Sequence, residues 1–231
     1  MKKMLILAMA LVAGICANAQ ESFAPEKGDF STEVQFNPFN SGDYTFKLDA
    51  LKFRYFVSDN DALLLDFGIN GKNQKNVPDT EHSGNYSSGY HGDFKLNIGY
   101  ERHFYNYKRL DLYAGAKLGL AHNFAGSKEH AERDNYEYTN QHFGKYGDYV
   151  KATGFNFGIF TGLDFYVYKG LFVGVELGFT MTDMFPGNVK TEVTTITNGI
   201  KDVQTTESKL GGHDFTFTTS VQPLVRLGWK F

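Results

Sequence analysis

Apolar and polar residues alternate along most of the chain, which is the pattern of β-strands with one apolar face. No stretch approaches 18 consecutive apolar residues, so the sequence does not predict a membrane-spanning helix. No Pro- or Ser-rich linker divides the chain. The pattern predicts eight strands, at about residues 29–38, 44–57, 61–71, 90–104, 109–122, 152–167, 170–182 and 212–231.

Short and long connections alternate between these strands. The short turns are 58–60, 105–108 and 168–169, and the other connections are 40–43, 72–89, 123–151 and 183–211. This order is typical of an all-β, eight-stranded antiparallel up-and-down barrel. In transmembrane barrels the short turns face the periplasm and the longer loops face outward. The connection 40–43 is shorter than this order predicts.

Alternation alone leaves two kinds of barrel open, because a soluble barrel has its apolar face inside and a membrane barrel has it outside. Strand length, paired belts of aromatic residues near both strand ends and the position of glycine favour the membrane barrel. Inside a narrow barrel, glycines would make space for long charged neighbours. Nine glycines share the polar face: Gly68, Gly99, Gly115, Gly119, Gly158, Gly162, Gly174, Gly178 and Gly228.

The polar face is also rich in charged residues, which then point into the lumen. A phase change between Ala50 and Leu51 predicts a β-bulge in the second strand. Near-balanced charges in a narrow lumen are expected to pair and close it, and an ion or solute path is the alternative. The predicted network is Lys47, Asp49, Lys52, Arg54, Asp66, Asp93, Lys95, Glu101, Asp111, Lys117, Asp164, Glu176 and Arg226, with Lys230 near its end.

The N-terminal residues 1–19 have the pattern of an export signal. Lys2 and Lys3 precede an apolar segment, and residues 17–19 (Ala-Asn-Ala) form a cleavage site. We expect cleavage after Ala19, which leaves residues 20–231 as the barrel domain and removes Cys16, the only cysteine. Since residues 1–19 carry two lysines and no acidic residue, the formal charge changes from −3 to −5. This mild acidity argues against nucleic acid as a partner.

The C-terminal segment 221–231 alternates apolar and polar residues and ends on an aromatic residue, after Trp229 and Lys230. Together with the export signal, the eight strands and the charged lumen, it resembles the small outer-membrane β-barrels of the OmpA/OmpX type. The resemblance implies location in the outer membrane, in contact with lipid and lipopolysaccharide, as a monomer. It also implies that the barrel-assembly machinery reads Trp229 and Phe231. A signal that ends in Ala-Gln is common in Bacteroidetes, which suggests the source.

Some barrels of the architecture that this chain resembles modify lipid A, so an enzyme is a further alternative. Six histidines lie at or above the expected outer rim, and Ser83 beside His82 and Ser127 near His130 are candidate nucleophiles. They lie on loops, and no His-x-Ser pattern is present. No metal-ligand spacing is diagnostic either. We therefore expect no catalytic residue, no metal and no cofactor.

The loops are the better candidates for function. Residues 190–207 are rich in threonine and interrupted by Asn198-Gly199, the signal of a type I′ hairpin, which we expect to protrude from the membrane with an open edge. The aromatics of 123–151 either contact a partner or fold over the barrel mouth. The sequence thus predicts a structural or surface-interaction role, such as adhesion or envelope defence, with a protein or glycan ligand at loops 123–151 and 183–211. Small-solute or apolar-molecule transport is the alternative, and lipid A modification is a third.

Overall fold

The chain folds into long antiparallel β-strands. The structure, a computed structural model, describes residues 23–36, 46–77, 84–133 and 135–231. Its strands are β1 (Phe30–Phe36), β2 (Phe46–Ser58), β3 (Asp61–Asn76), β4 (Tyr86–Tyr107), β5 (Leu110–Arg133), β6 (Tyr136–Phe143), β7 (Lys145–Tyr146), β8 (Tyr149–Val150), β9 (Ala152–Tyr168), β10 (Leu171–Pro186), β11 (Val189–Thr197), β12 (Ile200–Ser208) and β13 (Asp214–Lys230). Among these residues, no helix has the length and apolar character needed to cross a membrane.

Eight of the strands form a closed ring. The order around the ring is β1, β2, β3, β4, β5, β9, β10 and β13, and every neighbouring pair is antiparallel. Strands β13 and β1 pair from Ser31 opposite Lys230 to Phe36 opposite Val225, which closes the ring. The predicted eight-stranded up-and-down transmembrane barrel is therefore confirmed. The export signal predicted at 1–19 lies outside the described residues.

Several ring strands continue well beyond the predicted boundaries. The predicted loop 72–89 holds the ends of β3 and β4, and the predicted loop 123–151 holds the end of β5 together with β6, β7 and β8. The alternation pattern does not predict these extensions, because their outer parts are polar on both faces, as at Ser87-Ser88 and Lys128-Glu129. Alternation signals a strand only where one face is buried in lipid or protein.

The extensions form a sheet beyond the barrel, at the end opposite the short turns; we call it the outer sheet. It consists of the outer parts of β3, β4 and β5 followed by β6, β11 and β12. Strands β11 and β12 form a hairpin whose turn residues, Asn198 (φ 52°) and Gly199 (φ 79°), both have positive φ. This confirms the predicted type I′ hairpin. Strand β6 occupies one edge of the hairpin, a pairing that was not predicted.

Successive side chains of the ring strands point alternately outward and into the lumen, as expected for a membrane barrel. Ile98, Leu118, Phe157 and Leu227 are exposed on the outside, whereas their sequence neighbours face inward. The predicted bulge in β2 is present but displaced, because the register with β3 shifts between Leu48 and Leu51. Ala50 is buried in phase with Lys52, so the change of phase precedes Ala50 instead of following it.

An N-terminal segment crosses the short-turn end of the barrel, which we call the periplasmic end. Lys230 Nζ lies 3.0 Å from Asp29 Oδ2 and donates a hydrogen bond to the carbonyl oxygen of Ala24 at 2.8 Å. The Phe23 ring contacts Tyr166, whose side chain points into the barrel. Residues 23–29 therefore partly cover the periplasmic opening.

A pair of isoleucine variants tests which part of the chain lies in lipid. Ile98, in the middle of β4, is 58% exposed, and Ile200, at the start of β12, is 75% exposed. We expect Ile98→Arg to lower the free energy of unfolding by about 2–4 kcal/mol, because it places a charge in the membrane interior. Ile200→Arg should stay within about 0.5 kcal/mol. Guanidinium unfolding in lipid vesicles, followed by tryptophan fluorescence, measures both; equal costs would contradict the membrane assignment.

Candidate functional site

The periplasmic half of the lumen contains a buried ion-pair layer, built around Arg226 of β13. Arg226 Nε donates to Glu33 Oε1 of β1 at 2.8 Å, and Arg226 Nη2 also pairs with Glu33 Oε2. On its other side, Arg226 Nη1 lies 3.0 Å from Asp164 Oδ1 of β9. The guanidinium thus spans the lumen between two strands that are not neighbours in the ring. The bidentate geometry is the strong form of an arginine–carboxylate pair.

Two cations of β2 complete this layer. Arg54 Nη1 lies 3.1 Å from Glu33 and 3.0 Å from Asp164, and Arg54 Nε lies 2.5 Å from Glu101. Lys52 Nζ lies 2.6 Å from Glu176 and 3.0 Å from Glu101. The side chains of Lys52, Arg226, Glu33 and Glu101 have no exposed surface. These charges are therefore buried among protein atoms.

Aromatic rings fill the space beside the guanidinium groups. The Tyr113 ring centre lies 4.8 Å from Arg54 Cζ and 5.0 Å from Arg226 Cζ, and the Tyr113 hydroxyl donates to Glu176 Oε2 at 3.2 Å. A side chain at Gly162 would collide with the Tyr113 ring. The lumen glycines were expected to make space for charged side chains, but here the space is taken by an aromatic ring that supports the cations.

A histidine belongs to the same layer. His103 Nδ1 lies 2.8 Å from Asp111 Oδ2, and His103 Nε2 lies 3.7 Å from Glu101 Oε2. The buried carboxylates of the described layer (Glu33, Glu101, Asp111, Asp164 and Glu176) outnumber its permanent cations (Lys52, Arg54 and Arg226). With every carboxylate ionised the layer would carry excess negative charge, which a protonated His103 would reduce.

A smaller group of polar residues lies on the outer side of the ion-pair layer. Asp66 accepts hydrogen bonds from Lys117 and Asn97. Asp93 accepts a hydrogen bond from the Asn70 amide at 3.3 Å. Lys95 is exposed to the lumen water and has no ion-pair partner among the described residues. Asp66, Lys117, Asn97 and Lys95 line a cavity of about 270 Å³, together with Phe160 and Glu176.

The predicted network thus divides into parts. The structure brings six of its members into one layer: Lys52, Arg54, Glu101, Asp164, Glu176 and Arg226. Asp111 joins that layer through His103, and Asp66 and Lys117 form a separate pair. Lys95 forms no ion pair with the side chains that the structure describes. The side chains of Lys47 and Asp49 lie outside those that the structure describes.

Three central residues of the layer were missing from the prediction: Glu33, His103 and Tyr113. Glu33 could have been found, because Ser31, Glu33 and Gln35 alternate with more apolar residues in the first strand. His103 follows Glu101 at a spacing of two on the same strand face. Tyr113 carried no such signal, since an aromatic residue on the lumen face looks like an interruption of the polar pattern.

The barrel mouth is covered in part by the β7–β8 segment. The Tyr149 ring stacks on His91 at 3.6 Å between ring centres, and the Tyr146 hydroxyl donates to Gln74 Oε1 at 3.0 Å. Partial burial and the nearby Lys72 ammonium lower the pKa of His91. Two of the loop aromatics therefore fold over the mouth, whereas Tyr136 and Phe143 of β6 are exposed.

Four outer histidines contact threonine hydroxyls or a carboxylate, and the candidate serine Ser127 is not among their partners. His122, His130 and His142 lie within hydrogen-bond distance of Thr153, Thr139 and Thr191, and His213 Nδ1 lies 2.7 Å from Asp183. Ser127 Oγ donates to the carbonyl oxygen of Lys145 and not to His130. His82 and Ser83 lie outside the described residues. Among the residues that are described, no group of three His, Cys, Asp or Glu could hold a metal ion.

Comparison with known proteins relates this geometry to a family. The sequence profile of the OmpA-OmpF-like porin family matches residues 37–231. No curated protein sequence is significantly similar. Among solved structures, Ail, the attachment invasion locus protein of Yersinia pestis, aligns over 89% of this chain and 99% of its own at 12% identity, with a TM-score of 0.39. Acinetobacter baumannii CarO aligns over 89% and 97% at 10% identity, with a TM-score of 0.31.

Substitutions in the ion-pair layer test its charge imbalance. We expect Arg226→Met to lower the free energy of unfolding by about 3–5 kcal/mol, because it removes one of the three cations that face the five buried carboxylates. Glu33→Gln should lower the free energy of unfolding by less, because Arg226 still pairs with Asp164 and the variant has one buried carboxylate fewer. The exposed pair Arg102–Asp61 provides the control, and Arg102→Met should cost about 0–1 kcal/mol. Unfolding in lipid vesicles gives all three values; a larger cost for Glu33→Gln than for Arg226→Met would contradict the imbalance.

Proposed function

The chain belongs to the OmpA-OmpF-like porin family, an outer-membrane β-barrel family. We propose that it is an integral membrane barrel with a closed lumen, and that its outer sheet binds partners at the cell surface. Its proposed role is structural or surface-interactive, and more specifically adhesion or envelope defence. The lumen contributes stability, and the residues outside the membrane contribute recognition. This division follows from where the buried charges and the exposed side chains lie.

The observation that carries the proposal is the complete burial of the ion-pair layer. Eight strands leave an interior just wide enough for side chains. Here Arg54, Arg226 and Tyr113 extend into that interior from β2, β13 and β5 and meet the carboxylates of β1, β9 and β10. An ion that crossed the barrel would have to separate these pairs, and leaving a buried charge without its partner is costly.

The outer sheet is the surface that remains for recognition. All nine residues of β12 are exposed, as are Tyr136 and Phe143 of β6. A protein or glycan that reaches the cell surface would meet these strands before it met lipid. Exposed aromatic residues on a strand supply contact area to either kind of partner.

Transport is the second candidate function, and one observation favours it. A cavity of about 420 Å³ lies at the mouth beside Tyr149 and Met184, and the 270 Å³ cavity lined in part by Lys95 lies deeper in the lumen. A porin needs a continuous water path through such cavities. The ion-pair layer interrupts this path in the periplasmic half, so we rank transport below the surface role.

Other expectations from the sequence accompany this proposal. Trp229 and Phe231 both have exposed side chains near the periplasmic end, which supports a role as the assembly signal. The geometry of the described outer histidines favours a non-enzymatic protein over a lipid A-modifying enzyme. Removal of residues 1–19, a monomeric state within the membrane and a Bacteroidetes source remain predictions.

Conductance of the refolded chain in a planar lipid bilayer tests the closed lumen. We expect no steady current from protein whose folding is shown by a heat-dependent gel shift. A variant lacking residues 145–150 uncovers the mouth and keeps the ion-pair layer, so it should also stay closed. A reproducible single-channel current from the intact chain would overturn the proposal, and a current from the deletion variant alone would show that the mouth segment closes the barrel.

A further inference from the structure

Strand β12 is the open edge of the outer sheet. It pairs with β11 and, among the strands that the structure describes, with no other. Its nine residues, Ile200–Ser208, are all exposed. Exposed sheet edges carry unpaired backbone groups that can pair with another strand. The chain therefore presents an unpaired β-edge outside the membrane.

The turn determines which backbone groups of β12 are free. A two-residue type I′ turn is closed by a hydrogen-bonded pair, here Thr197 opposite Ile200. The Asn198 amide donates to Asn135 on the β6 side at 2.9 Å, which agrees with this alternation. The backbone groups of even-numbered β12 residues therefore face β11. Those of Lys201, Val203, Thr205 and Glu207 face the open edge.

We propose that the occupant of this edge is β12 of a second copy of the chain, paired antiparallel with its centre at Gln204. In this register the open-edge residues meet one another, so each can exchange both backbone hydrogen bonds. Lys201 lies opposite Glu207 of the second copy, and Val203 lies opposite Thr205. Because the arrangement is symmetric, the Lys201–Glu207 pair and the Val203–Thr205 pair each occur twice.

Charge complementarity selects this register among those that symmetry allows. In an antiparallel pair, open-edge residues of one strand must lie opposite open-edge residues of the other. Because every second residue of β12 faces the open edge, the partner strand can shift only by two residues at a time. One step places Lys201 opposite Lys209 of the second copy, which is unfavourable. The opposite step places Lys201 opposite Thr205 and shortens the overlap. The central register uses the whole of Ile200–Ser208 and opposes no like charges.

The symmetry also determines where the second copy is anchored. The two-fold axis of such a pair is perpendicular to the sheet and reverses the strand direction. The outer sheet continues from ring strand β5, which pairs with β4 without a break from Arg102–Ala114 to Tyr86–His130. Reversing the strand therefore reverses the barrel. The second copy would lie in a facing membrane, and the pair would join two surfaces.

This inference rests on the proposed surface role and specifies its partner. A nine-residue edge buries far less surface than a stable protein dimer, so a single pair is weak. Many copies in two facing membranes would bind together through multivalency. The chain can thus be a monomer in one membrane and still connect two membranes.

Charge-reversal variants in lipid vesicles test the pairing. The wild-type protein is placed in two vesicle populations that carry different dyes. We expect more particles that contain both dyes than in the same mixture of vesicles without protein. Lys201→Glu alone and Glu207→Lys alone each place like charges opposite in a homotypic pair, and each should reduce tethering at least several-fold. Vesicles with Lys201→Glu mixed with vesicles with Glu207→Lys should tether again, since every charge pair is then complementary.

Controls separate this test from folding and from the proposed function. Heat-dependent gel shifts show that each variant is folded, and Val203→Pro removes one open-edge donor while leaving the bonds to β11, so it should also reduce tethering. Wild-type vesicles that do not tether, or a mixture that tethers no better than either variant alone, would overturn the pairing. A conducting barrel would overturn the proposed function whatever the vesicles do.

Discussion

The cost of removing charge from water inside a narrow barrel is the constraint on which the structure depends. Eight strands leave no room for a hydrated arginine, so each cation in the periplasmic half needs carboxylates within direct contact. Arg226 satisfies this requirement by joining Glu33 of β1 to Asp164 of β9. The ion pairs thereby connect strands across the lumen that the backbone ladder connects only around the circumference.

The same constraint explains the aromatic rings and the glycines of the lumen. Tyr113 lies against both arginines, and Gly162 gives its ring the space that a side chain would take. Ring and guanidinium together fill the cross-section more completely than carboxylates alone would. The proposed closure of the lumen therefore depends on these rings as well as on the ion pairs.

The sequence predicted the barrel well because lipid and lumen impose opposite polarity on alternate residues. This contrast is present in Leu110–Leu120 of β5 and absent in Ser127–Arg133, where both faces meet water. The sequence pattern therefore predicts a loop for the outer part of that strand. The Asn198-Gly199 turn was predictable because its chemistry is local. The pairing of β6 with β11 was not, because it joins segments about 50 residues apart that carry no mutual signal.

The lumen charges were predictable as a set but not as partners. Alternation shows that Lys95 and Arg54 share the inner face, yet only the depth of each residue decides whether it meets water or a carboxylate. Glu33 was overlooked because the first strand is short and carries a single charge on that face. A side chain's depth depends on strand stagger, which a single sequence does not report.

Hydrogen exchange of the Arg226 guanidinium in lipid bilayers, measured by nuclear magnetic resonance, tests the closed ion-pair layer most directly. Arg102, which is exposed at the barrel surface, provides the internal reference. The account predicts that the Arg226 Nε proton exchanges with water far more slowly than that of Arg102. Equal exchange rates for the two arginines would show that water passes through the layer and would contradict the account.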